Sequence, residues 1–296
     1  MENLNLEEYM ARMAGLINRG LADMLVTENE YPQSLHKAMH YSLFAGGKRV
    51  RPVLVLAACE AVGGRVDDAL NTACAIECVH TYSLIHDDLP AIDNDDLRRG
   101  RPTCHKVYGE ATAILAGDAL LTVAFELIAR TALKDRGVLI DVTLELARAA
   151  GSTGMIGGQM VDIDSEGKDV TFPVLEYIHI HKTGELILAS LRSGALIGGA
   201  AGAELTALDS YGKAVGLAFQ IADDILDVEG SSAEMGKPTG GDELKGKATY
   251  PSILGLDGAR ARAEELVNIA VNALSGFDAR AEPLRAIARY IVKRSR

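Results

Sequence analysis

The chain has no tryptophan and only five phenylalanines in 296 residues. Hydrophobic residues nevertheless make up 48% of it, so Leu, Ile, Val and Ala must fill the core, which favours helix packed on helix. The four cysteines, Cys59, Cys74, Cys78 and Cys104, form no C-x-x-C pair and lie in apolar or mixed surroundings, as expected of free thiols rather than of a thiolate metal site. No Pro/Ser-rich linker, low-complexity tract or abrupt change in composition divides the chain, and a single domain spanning 1–296 is expected. Positive charge is scarce as well. Thirty Lys and Arg face forty-one Asp and Glu, a formal net charge of -11, and a nucleic-acid partner needs a broadly basic surface instead. A small anionic ligand is not excluded, because a local cluster of cations or a bridging divalent metal is enough to hold one. The acidic start has neither the basic and apolar regions of a signal peptide nor the Arg-rich character of a transit peptide, so a cytoplasmic protein is expected. The most apolar small-residue stretch, 193–203, is about half the ~20 residues that span a bilayer. Its Gly194-x-x-x-Gly198 spacing marks close helix packing, and no membrane insertion is expected.

Period-2 strands are also hard to find. Helical spacing and strong helix formers run through 54–62, 70–85, 111–133, 138–150, 176–197, 205–228 and 261–274. Breakers fall between these segments: Gly46 and Gly47, Gly63 and Gly64, Gly151, Gly157 and Gly158, Pro173, and the run 236–246. The pattern predicts an all-α protein, one large bundle of ten or more helices.

Two acidic motifs stand out on this background. Asp87, Asp88 and Asp93 follow one apolar helix, and Asp223, Asp224 and Asp227 close another. Carboxylates on apolar helices are costly without a counterion, so a cation is expected between them. Asp223 and Asp227 are one helical turn apart and share a face, where two carboxylates can grip one hard ion. An oxygen-only donor set suits Mg2+, which keeps several waters and shares phosphate oxygens with one or two carboxylates. Pro90 should end or distort the first helix before Asp93. Cations cluster nearby, with Arg98, Arg99 and Arg101 just past the first motif and Lys48, Arg49 and Arg51 beside the Gly46, Gly47 pair. Arg forks bind phosphate bidentately. Lys182 and Thr183, before Gly184, and a Gly-rich loop carrying Lys237, Lys245 and Lys247 are candidates to close over the ligand. Together these groups suggest two diphosphates, one held through metal and one by side chains.

The segments HDDLPAIDNDDLRRG (86–100), HKTG (181–184), FQIADDILD (219–227) and GKATYP (246–251) resemble the trans-isoprenyl diphosphate synthases, closest to the bacterial farnesyl diphosphate synthases. The resemblance covers nearly the whole chain, in order. It implies the isoprenoid synthase fold around a central substrate cavity and a homodimer. It further implies that Asp87, Asp88 and Asp93, with Asp223 and Asp227, hold three Mg2+ on an allylic diphosphate. Isopentenyl diphosphate would then be held by Lys48, Arg51, His80 and Arg99, and the allylic substrate by Arg98, Lys182, Thr183, Gln220, Lys237 and Lys247. Thr183 and Gln220 are plausible stabilisers of an allylic cation through their hydroxyl and carbonyl dipoles. No protein nucleophile is required.

Ser83 lies one turn before Asp87 on the same face, with Tyr82 beside it, about 6 to 7.5 Å deeper along the helix. An aromatic at the Tyr82 position goes with a C15 product in the family, so farnesyl diphosphate is the expected product and geranylgeranyl diphosphate the alternative. Two rival classes compete with this reading. The pairs Glu77/His80 and Glu176/His179 repeat an E-x-x-H pattern found in di-iron carboxylate bundles, with Glu60 and Glu145 as the additional glutamates. An acidic helical scaffold would account for bundle and charge but not for Lys182, Thr183 and Gln220. Asp162 and Asp164, after Gly158 and Gln159, either join the site or cap it, and the tail 293–296 is expected to be solvated.

Overall fold

The computed structural model describes residues 4–229 and 248–293, and within these it is built almost wholly of helices. In chain order they are α1 (Leu6–Met24), α2 (Gln33–Leu43), α3 (Val50–Ala61), α4 (Val66–Asp87), α5 (Cys104–Tyr108), α6 (Glu110–Ala129), α7 (Arg136–Ala150), α8 (Met155–Ser165), α9 (Phe172–Ile178), α10 (Glu185–Ile197), α11 (Ala203–Glu229), α12 (Tyr250–Ala273) and α13 (Glu282–Lys293). Local signals explain several ends. Asn5 caps α1 by accepting from the backbone N–H of Glu7 and Glu8, and Thr249 and Ser252 form a capping box at the start of α12. The left-handed Gly255 (φ 70°) breaks α12 near its start.

The core is aliphatic and small, as the lack of aromatics requires. On α3 and α4 the residues Val53, Leu54, Val55, Leu56, Ala73, Cys74, Ala75, Ile76 and Val79 are all fully buried. The four cysteines are free and buried. Small residues let α10 lie directly on α3: a Cβ at Gly194 would stand 2.0 Å from the Val55 carbonyl oxygen, and one at Gly198 would stand 2.4 Å from Val62. That is the close packing expected of the Gly194-x-x-x-Gly198 spacing. The 193–203 stretch is not where the longest apolar run lies, however. Helix α6 is long and apolar enough to cross a membrane by length and composition, with a mean hydropathy of 1.7. It packs along α4 on one side and leaves Ile114 and Leu115 exposed on the other.

Three local features matter for the site, the first two of them departures from the sequence expectation and the third the helix end that Pro90 led one to expect. The segment 176–197, expected as one helix, is α9 and α10 joined by a π-helical turn, His179–Gly184. That turn is squeezed between α8 and α11: a Cβ at Gly158 would meet the Lys182 backbone at 2.3 Å, and one at Gly216 would meet Gly184 at 2.9 Å. A small antiparallel ribbon, Leu97–Arg98 with Arg101–Pro102, is too short to register as period-2 alternation. Its two-residue turn is Arg99 and Gly100, both at positive φ (54° and 73°), the geometry that matches strand twist. Finally, α4 ends at Asp87 ahead of Pro90, and the chain folds back so that the Asp93 N–H donates to the Asp87 carbonyl at 2.8 Å.

Candidate active site

The helices surround a cavity of about 1030 Å³. Its walls carry Lys48, Arg51, His80, Asp87, Asp93, Arg98 and Arg99, together with Lys182, Thr183, Gln220, Asp223, Asp224 and Asp227. Two motifs far apart in sequence thus line one space. Apolar wall is supplied by Val50, Leu175, Ile178, Phe219 and Leu226.

The cationic residues are held by the backbone around them. Arg49, left-handed at φ 51°, turns inward as a positioning group, donating to Glu77 at 2.6 Å, to the Leu43 carbonyl at 2.6 Å and to Asn18 at 3.0 Å. Its neighbours Lys48 and Arg51 are thereby presented to the cavity. Arg51 Nη1 approaches His80 Nε2 at 3.5 Å. Guanidinium groups only donate, so that imidazole nitrogen accepts and His80 is neutral. Burial, followed by Arg51, Arg99, Arg98 and Arg49, holds the His80 pKa well below the usual value. The tight ribbon turn aims Arg99 at the 46–47 backbone, where it donates to the Gly46 carbonyl. A side chain at position 47 would collide with that guanidinium at 2.5 Å. Lys48 donates to the Tyr290 hydroxyl of α13 at 3.2 Å.

Around the acidic motifs, burial pushes the Asp87 carboxyl up, opposed by Lys182 and reinforced by Asp93. Lys182 is paired with Asp162 at 2.7 Å. Thr183 donates to the Gln220 carbonyl oxygen at 2.8 Å, and the Gln220 amide donates to Asp224 at 3.0 Å. Among the described residues, no three His, Cys, Asp or Glu side chains are grouped so as to hold an ion by themselves.

Three expected site residues are placed apart from the cavity wall. Asp88 is buried, and both its oxygens accept from Arg98, at 2.8 and 2.9 Å from Nε. Ser83 donates to the His80 carbonyl of its own helix. Tyr82 is buried, edge-on to His86 with centroids 5.7 Å apart, and its hydroxyl has no hydrogen-bond partner. Lys237, Lys245 and Lys247 lie outside the described residues. Conversely, Asp162 lines the cavity; its place three residues after Gln159, on one helical face, was the available signal. Asp95 also lines the cavity, and nothing in its spacing marked it out.

The di-iron reading fails on its glutamates. Glu77 is ion-paired with Arg49, Glu60 accepts from the Tyr9 hydroxyl at 2.5 Å, and Glu145 pairs with Arg192.

A helical fold whose cavity carries two pairs of aspartates together with a set of Arg, Lys and neutral His is built to bind anionic groups through hard cations and guanidinium forks. Comparisons with known proteins agree. The polyprenyl synthetase family model matches residues 32–280. The farnesyl diphosphate synthase of Geobacillus stearothermophilus is 47% identical over 298 residues, covering 99% of each chain. A chloroplastic geranylgeranyl pyrophosphate synthase of Capsicum annuum is 47% identical over 296 residues, covering 99% of this chain and 80% of its own. Among solved structures, an FPP/GFPP synthase from Zymomonas mobilis superposes with a TM-score of 0.89 at 41% identity, covering 97% of this chain and 99% of its own. The chain belongs to the polyprenyl synthetase family and has its all-α isoprenoid synthase fold; it is a short-chain prenyltransferase.

Proposed function

We propose that the protein condenses isopentenyl diphosphate with dimethylallyl or geranyl diphosphate and releases farnesyl diphosphate and pyrophosphate, the whole chain acting as one polyprenyl synthetase domain. The observation that carries this reading is the meeting of Asp87 and Asp93 with Asp223 and Asp227 around one cavity that also holds Lys48, Arg51, His80, Arg98, Arg99 and Lys182. The donor chemistry fits Mg2+: all four are carboxylates, no sulfur lines the cavity among the described residues, and one or two carboxylates per ion leave phosphate oxygens and water to complete an octahedral shell. Bound Mg2+ would supply Lewis-acid stabilisation of the departing pyrophosphate.

The chain's own residues do the rest. Lys182 and Arg98 add fixed positive charge where the leaving group's negative charge grows. Lys48, Arg51 and Arg99 bind the second diphosphate, and neutral His80 has an N–H left to donate to it. Apolar walls from Phe219, Leu226 and Ile178 exclude water while the allylic C–O bond breaks with its electron pair leaving on pyrophosphate. The double bond of isopentenyl diphosphate attacks the allylic carbon, and a proton is then lost, by family analogy to the pyrophosphate.

Tyr82 supports a C15 product. It is buried on α4, five residues before Asp87, with its ring edge-on to His86, whose own ring reaches the Ile114 carbonyl of α6. The relatives include both farnesyl and geranylgeranyl synthases, so C20 is the alternative product. We also propose a homodimer, as the family resemblance implies. Exposed Ile114 and Leu115 on α6 and exposed Ile140 and Leu144 on α7 support it; sedimentation at the monomer mass would remove this assignment.

The test is incubation of the purified protein with Mg2+, isopentenyl diphosphate and dimethylallyl diphosphate, with an EDTA control, followed by product mass. A metal-dependent C15 diphosphate supports the class and the chain length; absence of condensation with any allylic starter overturns the reading.

A further inference from the structure

Asp224, the middle aspartate of the second motif, is held by groups from three elements of the fold. It lies about 100° around α11 from Asp223, and its side chain is only 3% exposed. Its Oδ2 accepts from the backbone N–H of Tyr250 at 3.0 Å and stands 3.6 Å from His179 Nε2. Its Oδ1 accepts from Gln220 Nε2 at 3.0 Å, one turn back along the helix. Gln220 Oε1 in turn accepts from the Thr183 hydroxyl at 2.8 Å. These residues join the end of α11, the start of α12 and the π-helical turn into one hydrogen-bonded chain at the cavity wall.

That chain has a direction, and Asp224 sets it. A backbone N–H only donates and an ionised carboxylate only accepts, so Gln220 must turn its NH2 towards Asp224. The amide oxygen then faces Thr183, and the hydroxyl commits its single proton to it. Thr183 Oγ is left with lone pairs, not a proton, for any other neighbour. We infer that Asp224 is a positioning residue that fixes the polarity of this relay, so that Thr183 presents an electron-rich oxygen to the positive charge developing on the allylic carbon. The inference rests on the proposed roles of Thr183 and Gln220 towards that carbon. A dipole oriented in advance needs no reorganisation when the charge appears; without the carboxylate, the Gln220 amide has two orientations of opposite sign available.

Asp224→Asn tests this with little change of shape. The substituted amide must keep its oxygen towards the Tyr250 N–H, because two donors cannot face each other. Its NH2 then points at Gln220, whose own amide flips, and the Thr183 hydroxyl becomes the acceptor in the chain. The expected result is a fall in kcat of about 100-fold, the lower end of the scale for one lost preorganised group. The KM for each diphosphate and the Mg2+ concentration for half-maximal rate should stay within about twofold of wild type, the pattern of an interaction made only in the transition state. Thr183→Val should cost a similar factor in the wild-type background and almost nothing further in the Asp224→Asn background, while Thr183→Ser keeps activity. An unchanged kcat, a loss confined to KM or Mg2+ affinity, or additive losses for the two substitutions would overturn the relay. If Asp224→Asn does not give folded protein by circular dichroism, the same cycle is run with Gln220→Met and Thr183→Val, and additivity there overturns it equally. A wild-type protein with no condensation activity marks instead the failure of the functional reading on which the relay depends.

Discussion

Arg98 closes on Asp88 with two donors, Nε at 2.8 and 2.9 Å from the two carboxylate oxygens and Nη2 at 2.6 Å from one of them. Asp88 is therefore committed to a guanidinium, whereas Asp87, its neighbour in sequence, lines the cavity. Successive residues on a helix end point about 100° apart, so two adjacent aspartates cannot serve one ion equally.

The first prediction separates them. Asp88→Asn should leave the Mg2+ concentration for half-maximal activity within about twofold of wild type, while Asp87→Asn and Asp93→Asn raise it at least about tenfold, one tenfold step being ~1.4 kcal/mol of metal binding. Arg98→Leu leaves a buried carboxylate uncompensated and should cost about 3 kcal/mol of stability or more. The double variant Arg98→Leu/Asp88→Leu should recover much of it, measured by urea unfolding.

A second concerns Asp87 and the metal-free protein. Its folded pKa is raised above the unfolded value, so at neutral pH the ionised carboxylate opposes folding, and stability is gained as pH falls through the raised pKa. Asp87→Asn should therefore increase the Tm of the EDTA-treated protein by a few degrees while lowering condensation by at least about 100-fold. Added Mg2+ and pyrophosphate should raise the Tm of wild type and have a much smaller effect on the variant; equal shifts in both would remove Asp87 from the metal-binding set.

Product length should respond to Tyr82. Tyr82→Ala removes a buried ring from α4 and should move the main product from C15 to C20 or longer, read by mass. Tyr82→Phe removes only a hydroxyl without a partner and should keep C15 at unchanged or slightly higher stability. An unchanged product from Tyr82→Ala would dismiss the residue as the floor.

Acid stability follows from two buried imidazoles. Burial holds the His179 pKa down to about 3, with His80 also held well below the usual value. The unfolded chain takes up protons near pH 6.5, where the folded state does not, so their contribution is complete above about pH 6.5 and is lost as pH falls towards 3. Each group adds a slope of up to ~1.4 kcal/mol per pH unit in that window. His179→Gln should flatten the dependence of unfolding free energy on pH between 6 and 4; an unaltered slope would show that His179 titrates normally.

Much of this was legible in the residues. The want of large aromatics and the run of 3.6-period segments led directly to a helical bundle, and Pro90 to the end of α4. Local chemistry was legible too, since the i, i+4 pair Asp223 and Asp227 shares a face in any helix. The His179–Gly184 turn was not visible, because its residues do not distinguish a π-helical turn from an α-helical one and its shape comes from compression between Gly158 and Gly216 on two other helices. Nor was the ribbon at Leu97–Pro102, which is too short for a period to show.

The sequence alone determined which groups are present and which are neighbours along a helix: the carboxylates, the cations, and the aliphatic faces that must be buried. Tertiary structure decided what each member of an adjacent pair meets, bringing Asp87 to the cavity while giving Asp88 to Arg98, and tying Asp224, at the cavity beside Asp223, to Gln220 and Tyr250. The reason is physical. Helical periodicity assigns residues to faces, but what lies opposite each face depends on where remote helices pack, and that is fixed only when the whole core closes.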